Sequence, residues 1–317
     1  MAACRMKEKF NEHQSVLLAE VIENLAIKPD GVYIDATFGR GGHAQAILQQ
    51  LGPEGRLLVM DKDPAAVAYA HQHFAHDPRF IMQHGTFADL ANFVAQHNLI
   101  GSISGILFDL GVSSPQLDDP DRGFSFMRAG KLDMRMDYSQ GIDAATWLAK
   151  VDEKELANVL WQYGEERFSR RIAKAIVMSR QQTPITTTAQ LAEIIAKAIP
   201  TWQKGKHPAT RSFQAIRIAV NQELDDLELG LAQAMKVLKV GGRLLVISFH
   251  SLEDRLVKHF MRHQERGDDL PAGLPIKQAN IEIRFKRLSR AVKPSDKEIA
   301  TNPRARSAIL RIGEKLL

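Results

Sequence analysis

One short segment strongly limits how this chain can fold: the apolar run Val32–Asp35 ends in an acid and leads directly into a glycine-rich turn. Residues 39–43 of the turn read Gly-Arg-Gly-Gly-His, and a helical pattern follows over 44–51. Glycine tolerates positive φ and allows a ligand to come close to backbone amides. A second apolar run, 56–60, is followed by Asp61, which is placed to bind a ribose diol. The segment therefore predicts a site for a nucleoside-containing cofactor.

Apolar runs and amphipathic helical patterns alternate through the first third of the chain. Strand patterns cover Val32–Asp35, 57–61, Phe80–His84 and 104–109, and helical patterns cover 44–51, Pro64–Phe74 and 87–97. This βαβα order predicts a parallel sheet with helices on both faces.

The alternation stops after residue 113 and resumes about a hundred residues later. Helical patterns fill the interval at 153–163, 167–180 and 188–199, and they are followed by a long helix over 213–238 and strands at 243–249, 281–288 and 308–312. We predict a doubly wound α/β domain made of 1–113 and 213–317, interrupted at 114–212 by an all-helical insertion that could cover a substrate. The insertion leaves after Asp109, at a strand's carboxyl end, where open α/β sheets bind ligands.

Composition sets the broad class. The chain has 317 residues, of which 44% are hydrophobic and 25% charged, as in an ordinary globular protein. No apolar run reaches membrane-spanning length, and the charged N-terminus lacks the apolar stretch of a secretory signal. Cys4 is the single cysteine, which excludes an internal disulfide and fits a reducing compartment. We expect a cytoplasmic protein without membrane contact; nothing in the sequence indicates an oligomeric state.

Positive charge is concentrated near the C-terminus. The net charge is +5, and the basic residues between 284 and 311 are Arg284, Lys286, Arg287, Arg290, Lys293, Lys297, Arg304, Arg306 and Arg311. Such a segment suits a polyanion such as RNA. A sheet edge protected by lysine and arginine explains it equally well, so both interpretations remain open.

The residues around the turn discriminate between cofactors. The turn matches the loose dinucleotide pattern, and Asp61 suits the ribose of NAD as well as that of S-adenosylmethionine. Asp35 favours the second, because its carboxylate would repel a pyrophosphate but attract the α-ammonium group of a methionine moiety. His43 adds a polar group able to donate to a carboxylate. The alternative is that Asp35 and Asp61 only stabilise turns.

Two further positions follow predicted strands. Phe87 is placed to cover an adenine, although it also fits the core of the next helix. Asp109 ends a buried run, and amino-methyltransferases carry at this place a polar residue followed by Pro-Pro-aromatic. Hydrogen-bond acceptors there help an exocyclic amine to present its lone pair to the methyl group. Here Asp109 fits the first place, but Pro-Pro-aromatic is missing, so the base-stacking residue is unassigned.

Three residues are candidates for substrate contacts. Phe249 and His250 follow a strand and could stack on a flipped base; the alternative is a helix start capped by Ser251. Arg211 lies in a basic turn over 204–211 and is a phosphate-contact candidate, unless that turn is merely solvated. The histidines of 71–76 do not share a helix face, and no metal-binding motif accompanies them, so we predict no metal site.

Ordered motifs along nearly the whole chain resemble the bacterial MraW-type methyltransferases that modify N4 of a cytosine in small-subunit ribosomal RNA. The motifs occupy 13–18, 35–43, 109–116, 122–126, 132–136, 163–166, 207–211, 248–255 and 302–307. The resemblance implies a class I S-adenosylmethionine-dependent fold, Rossmann-like with a mostly parallel sheet and a helical insertion. It implies a cytosine of 16S ribosomal RNA near the decoding centre of the small subunit as the acceptor.

The same resemblance assigns site residues. It implies cofactor contacts from Gly41, Gly42, His43, Asp61, Phe87, Asp109 and Gln116. Asp109 would be the catalytic residue, serving the cofactor, the target amine or both. Three other functions remain as alternatives: a nicotinamide-dependent oxidoreductase, an RNA-binding assembly protein with a vestigial site, and a protein-amide methyltransferase. The basic C-terminal segment and the missing Asn-Pro-Pro-Tyr disfavour the third.

Overall fold

The computed structural model describes residues 15–201, 205, 207–266 and 283–317. Its strands are β1 (Val32–Asp35), β2 (Arg56–Asp61), β3 (Phe80–His84), β4 (Ile103–Asp109), β5 (Leu238–Ser248), β6 (Phe285–Arg287) and β7 (Ile309–Lys315). Its helices are α1 (Leu18–Leu25), α2 (Gly42–Gln50), α3 (Pro64–Phe74), α4 (Leu90–Gln96), α5 (Ser114–Asp118), α6 (Ala144–Lys150), α7 (Glu153–Gly164), α8 (Ser169–Gln182), α9 (Thr188–Ala198), α10 (Thr210–Asn221), α11 (Glu223–Val237), α12 (Ser251–Arg266) and α13 (Asp296–Thr301).

The seven strands of the described residues form one sheet in the order β3-β2-β1-β4-β5-β7-β6. The neighbours from β3 to β5 are parallel, and β7 runs antiparallel to both β5 and β6. This order confirms the predicted class I Rossmann-like methyltransferase fold. The chain direction across the sheet reverses between β1 and β4, so a crevice opens at their carboxyl ends.

Helices cover both faces of the sheet, as predicted. Side chains alternate between the faces along each strand: Leu107 and Leu245 belong to a hydrophobic cluster with α1, α2 and α3, whereas Ile106 and Leu244 belong to one with α4, α11 and α12. All four side chains are fully buried. Because the sheet is fixed from both sides, the loops at its carboxyl edge are held in defined positions.

A third hydrophobic cluster lies entirely within residues 132–216 and is built by the helices from α6 to α10. Phe213 and Ile216 of α10 belong to it, so the helical core continues past residue 212. The division of the chain into 1–113, 114–212 and 213–317 stays a prediction. In the described residues, no helix is both long and apolar enough to cross a membrane.

Some predicted elements were wrong in detail. The single helix predicted over 213–238 is two helices, because Gln222 adopts a left-handed conformation with φ of 55° between α10 and α11. Gly241 lies inside β5 with φ of 77°, where the pairing with β4 shifts register, instead of ending a helix before the strand. The predicted strand 281–288 is seen only as β6, and residues 281 and 282 lie outside the described residues.

Candidate active site

A cavity of about 1070 Å³ opens at the carboxyl ends of the parallel strands. It is lined by the glycine-rich turn after β1, residues 61–63 after β2, residues 85–87 after β3, residues 109–116 after β4 and Phe249 after β5. The cavity is large enough for a nucleoside cofactor and a part of a substrate. It therefore unites most of the predicted site residues, which lie far apart in the sequence.

The glycine-rich turn requires its glycines. Gly39 and Gly41 have φ of 57° and 75°, a region that side chains other than glycine rarely adopt. A Cβ atom on Gly41 would lie 2.7 Å from the Phe38 ring, and one on Gly42 would lie 2.0 Å from Ser15 Oγ. Gly42 lines the cavity, whereas Gly41 is not among the lining residues and packs against Phe38 and Phe74.

Asp61 holds this turn to the end of β2. Its Oδ2 accepts a hydrogen bond from the Gly39 amide at 2.7 Å, and its Oδ1 accepts one from the Asp63 amide at 2.8 Å. Burial raises the pKa of Asp61 to about 6, although these amides oppose the rise. The carboxyl lines the cavity, so it is placed for a ribose diol and stabilises the turn as well.

Asp109 and His43 meet where the strand order reverses. Asp109 Oδ2 lies 3.5 Å from His43 Nδ1, and Asp109 Oδ1 is buried without a hydrogen-bond partner among the residues described. Burial, followed by the carboxylates of Asp35 and Glu253, raises the pKa of Asp109 well above its ordinary value. A buried oxygen without a partner is costly, so this carboxyl favours a proton or a ligand that donates to it.

The tautomer of His43 follows from its surroundings. His43 Nε2 lies 3.1 Å from the carbonyl oxygen of Val16; a carbonyl can only accept, so Nε2 carries the hydrogen. Burial lowers the pKa of His43 to about 4, and the neutral ring therefore turns an acceptor, Nδ1, toward Asp109. His43 Nδ1 and Asp109 Oδ2 are then two hydrogen-bond acceptors that face each other, unless the Asp109 carboxyl carries a proton. In this state His43 has no second N–H with which to bind a ligand carboxylate.

Asp35 lies beneath the cavity with an exposed fraction of 1%. Its Oδ1 accepts a hydrogen bond from the Thr37 amide at 3.2 Å. Burial raises its pKa to about 7 against the effect of that amide, and the charge of Asp61 adds to the rise. Asp35, which we expected to attract a methionine ammonium group, is thus buried directly below the floor of the cavity.

Gln116 closes the cavity from the side of the helical region. Its Oε1 accepts a hydrogen bond from the Ser113 amide at 2.9 Å, and its Nε2 donates to Asp63 Oδ2 at 2.8 Å. Arg122 donates to the same Asp63 oxygen at 2.9 Å. Asp63 was not identified as a site residue from the sequence; in the structure it also caps α3, where its Oδ1 accepts a hydrogen bond from the Ala65 amide at 2.9 Å.

Phe249 lines the cavity beside Asp109. Its ring lies close to Gly111, since a Cβ atom added to that glycine would be 3.5 Å from the ring. Glu253 Oε2 accepts hydrogen bonds from the amides of Phe249 and His250, at 2.8 and 3.2 Å. His250 is turned toward Glu253, with its Nε2 3.1 Å from Oε1 and its side chain 10% exposed. The two residues therefore have different positions: Phe249 lines the cavity, whereas His250 does not line it and packs against Glu253.

A buried ion-pair network supports this segment. Burial alone would raise the pKa of Glu253, but the pKa is lowered because His250 and Arg217 stabilise the carboxylate. Arg217 also forms two hydrogen bonds to Glu223, at 2.8 and 2.7 Å. Glu223, His250 and Glu253 bring potential metal-ligand atoms within 4.8 Å of one another. The Arg217 guanidinium already supplies the positive charge there, so the arrangement is explained as an ion-pair network.

Two remaining candidates have different positions. Phe87 lines the cavity and also packs edge-on against Phe108, with ring centroids 5.4 Å apart, so the cofactor and core interpretations are compatible. Arg211 is exposed on α10, where it donates to the carbonyl oxygen of Glu165 at 3.3 Å, and it is not among the cavity-lining residues. Residues 204 and 206 of its basic turn lie outside the described residues.

Comparison with known proteins gives the family. The model of the MraW methylase family matches residues 10–316. "Ribosomal RNA small subunit methyltransferase H" of Legionella pneumophila (strain Paris) is 58% identical over 305 residues, covering 96% of this chain and 99% of that protein. The protein of the same name from Pseudoalteromonas atlantica is 57% identical over 306 residues, with coverages of 96% and 98%.

Among solved structures, an rRNA methylase from Streptococcus thermophilus aligns with a TM-score of 0.39 at 13% identity, over 94% of this chain and 95% of that one. The family match extends over almost the entire sequence, and the two relatives share more than half of their residues with it. This chain therefore belongs to the MraW methylase family.

Proposed function

We propose that this chain transfers a methyl group from S-adenosylmethionine to N4 of a cytosine in 16S ribosomal RNA, near the decoding centre of the small ribosomal subunit. The observation that carries the proposal is the Asp109 carboxyl, which lines the cavity at the reversal of strand order and has a buried oxygen that no described residue hydrogen-bonds. Family membership and the names of the relatives support the reaction class and the RNA.

The residues around the cavity fit S-adenosylmethionine. Gly42 leaves room for close approach to the backbone, Asp61 is placed for the ribose hydroxyls, and Phe87 offers an apolar face for the adenine. Asp35, buried below the turn, favours positive charge above it. When bound, S-adenosylmethionine supplies an electrophilic methyl group. Gln116 closes the site from the helical side, together with Asp63.

Asp109 is the group that acts on the target amine. The lone pair of an exocyclic cytosine amine is delocalised into the ring, and an acceptor that binds its hydrogens favours the pyramidal, nucleophilic form. As the amine nitrogen bonds to the methyl carbon, the bond from that carbon to the donor sulfur would break with its electron pair left on sulfur, and one amine proton must leave. Asp109 is placed to accept that proton, since its pKa is raised well above the ordinary value.

The target base is held by Phe249, which lies beside Asp109 and presents an aromatic side chain to the cavity. Stacking on an aromatic side chain is a common way to hold a base taken out of its helix. His250 then positions Phe249 through Glu253, and Arg211 on α10 contacts RNA phosphate at the helical region, residues 114–212. In this arrangement the helical region recognises the substrate while the sheet edge carries the chemistry.

Methyl transfer tests the proposal directly. Small ribosomal subunits and protein-free 16S ribosomal RNA are incubated with the enzyme and labelled S-adenosylmethionine, and the RNA is then digested to nucleosides. We expect the label in N4-methylcytidine. Label in adenosine or in ribosomal protein would contradict the proposal.

A thermal-shift measurement is the companion experiment, because only a ligand that prefers the native state raises the melting temperature. S-adenosylmethionine should raise it and NAD should not. The opposite result would support an oxidoreductase.

A further inference from the structure

A second, smaller concavity of about 540 Å³ is lined by residues of α12, of β6 and the loop after it, and of β7. We call it the α12 groove and define it by Lys258 and Arg262 of α12, Arg287 of β6, Arg290 of the following loop and Arg311 of β7. None of these residues lines the cofactor cavity. The groove therefore concentrates basic side chains from four separate segments at a place distinct from the active site.

Two of the five cations are neutralised within the protein. Arg311 forms hydrogen bonds of 2.7 and 2.9 Å to both oxygens of Asp254. Arg287 pairs with Glu265 through its side chain. Lys258, Arg262 and Arg290 have no acidic partner in the described part of the chain. Among the described residues, the groove thus carries three positive charges without an acidic partner, beside the two paired arginines.

The placement of these charges discriminates between the two explanations for the basic C-terminal segment. Protection of a sheet edge requires charges along the edge strand itself, and the exposed Lys286 on β6 meets that need. Lys258 and Arg262 belong to a helix, are four residues apart and so share one face. They converge with Arg290 on one concavity, which is the arrangement that binds a polyanion.

The groove also has a defined relation to the active site. Phe249 lines the cofactor cavity, and α12 begins two residues later at Ser251. Lys258 follows seven residues into the helix, which corresponds to about 10 Å along the helix axis. A strand of RNA whose target base lies at Phe249 can therefore extend along α12 and bring its neighbouring phosphates to the groove.

We propose that the α12 groove binds phosphates of the RNA backbone adjacent to the target nucleotide, through Lys258, Arg262 and Arg290. The inference rests on the proposed function, because it takes RNA as the substrate. Contacts with phosphates position the RNA without reading its sequence. The groove would thus supply affinity and orientation, while the cavity selects and modifies the base.

The test compares two triple variants that remove the same charge. The groove variant is Lys258→Ala/Arg262→Ala/Arg290→Ala. The control is Lys28→Ala/Arg56→Ala/Lys236→Ala, whose residues are exposed and lie near the amino ends of β1, β2 and β5, the opposite edge of the sheet from the cavity. Binding of 16S ribosomal RNA is measured over a range of salt concentrations, and S-adenosylmethionine binding and thermal unfolding are measured for both variants.

We expect the groove variant to lose about 100-fold in RNA affinity near ~0.1 M salt and to show a salt slope smaller by about 2, which corresponds to three lost phosphate contacts. The control should keep the wild-type slope, and both variants should bind S-adenosylmethionine as the wild type does. Wild-type affinity and slope in the groove variant, or equal losses in both variants, would overturn the inference while leaving the proposed function standing. A wild-type protein that methylates no ribosomal RNA would instead reject the proposed function itself.

Discussion

Asp35 is a buried acid that the folded protein holds at an energetic cost, and replacing it should reveal that cost. Its pKa in the folded protein is about 7, compared with an ordinary value of 3.8. The folded state therefore binds more protons than the unfolded state between about pH 4 and pH 7, and stability falls as the pH rises through this window. At about 1.4 kcal/mol per pKa unit, the full cost above pH 7 is about 4 kcal/mol.

The substitution Asp35→Asn removes the charge and keeps the shape. Its side-chain oxygen can still accept the hydrogen bond from the Thr37 amide. We expect the variant to be more stable than the wild type by about 4 kcal/mol at pH 8 and nearly equal to it at pH 4. Urea unfolding at both pH values measures the difference. Asp30→Asn, an exposed acid just before β1, is the matched control and should change stability by less than about 0.5 kcal/mol.

The reasoning fails if Asp35→Asn is less stable than the wild type at pH 8, or if its effect is the same at both pH values. The variant should also bind S-adenosylmethionine less tightly, because the negative charge below the turn is gone. A gain in stability accompanied by a loss of binding is the usual sign that a destabilising group is retained for function.

Two other substitutions probe the cavity. Asp109→Asn should reduce methyl transfer by about 100-fold or more, because the amide cannot take the amine proton. Wild-type turnover should rise with pH as Asp109 loses its proton, and that dependence should be absent from the residual activity of the variant; full turnover in a labelled-methyl assay would refute the role. Glu253→Ala should destabilise the fold by about 3 kcal/mol, since it removes the acceptor of the Phe249 and His250 amides and one of the two carboxylates that stabilise Arg217. It should also raise the KM for RNA more than that for S-adenosylmethionine; equal changes in both constants would contradict a link to Phe249.

Local sequence patterns predicted much of the sheet. The bounds of β1, α3 and β3 agree with the predicted ones, because apolar runs and the Asp-Pro helix start are local signals. Gly241 was misread because a glycine pair predicts a turn, whereas glycine inside a strand also marks a bulge. The break at Gln222 has no comparable signal, since a glutamine with positive φ is uncommon.

The candidate site was predictable where it depends on strand ends. Asp61 and Asp109 end β2 and β4, and parallel topology alone brings such residues to one edge. The pairing of Gln116 with Asp63 joins residues 53 positions apart, and Lys62 pairs with Asp226 across 164 positions. Such contacts depend on how α5 and α11 pack at the carboxyl edge of the sheet, which periodicity does not encode.

The electrostatics of the cavity suggest why its acids are buried. Asp35, Asp61 and Asp109 all have raised pKa values, and neutral His43 adds no positive charge to offset them. Without a ligand, the site therefore holds protons or unsatisfied negative charge, and either state is costly. A cationic ligand relieves that cost, whereas a ligand that has lost its sulfonium charge relieves less of it. In the proposed reaction, this arrangement would favour the methyl donor over its demethylated product and make Asp109 a better proton acceptor once the sulfonium charge is lost.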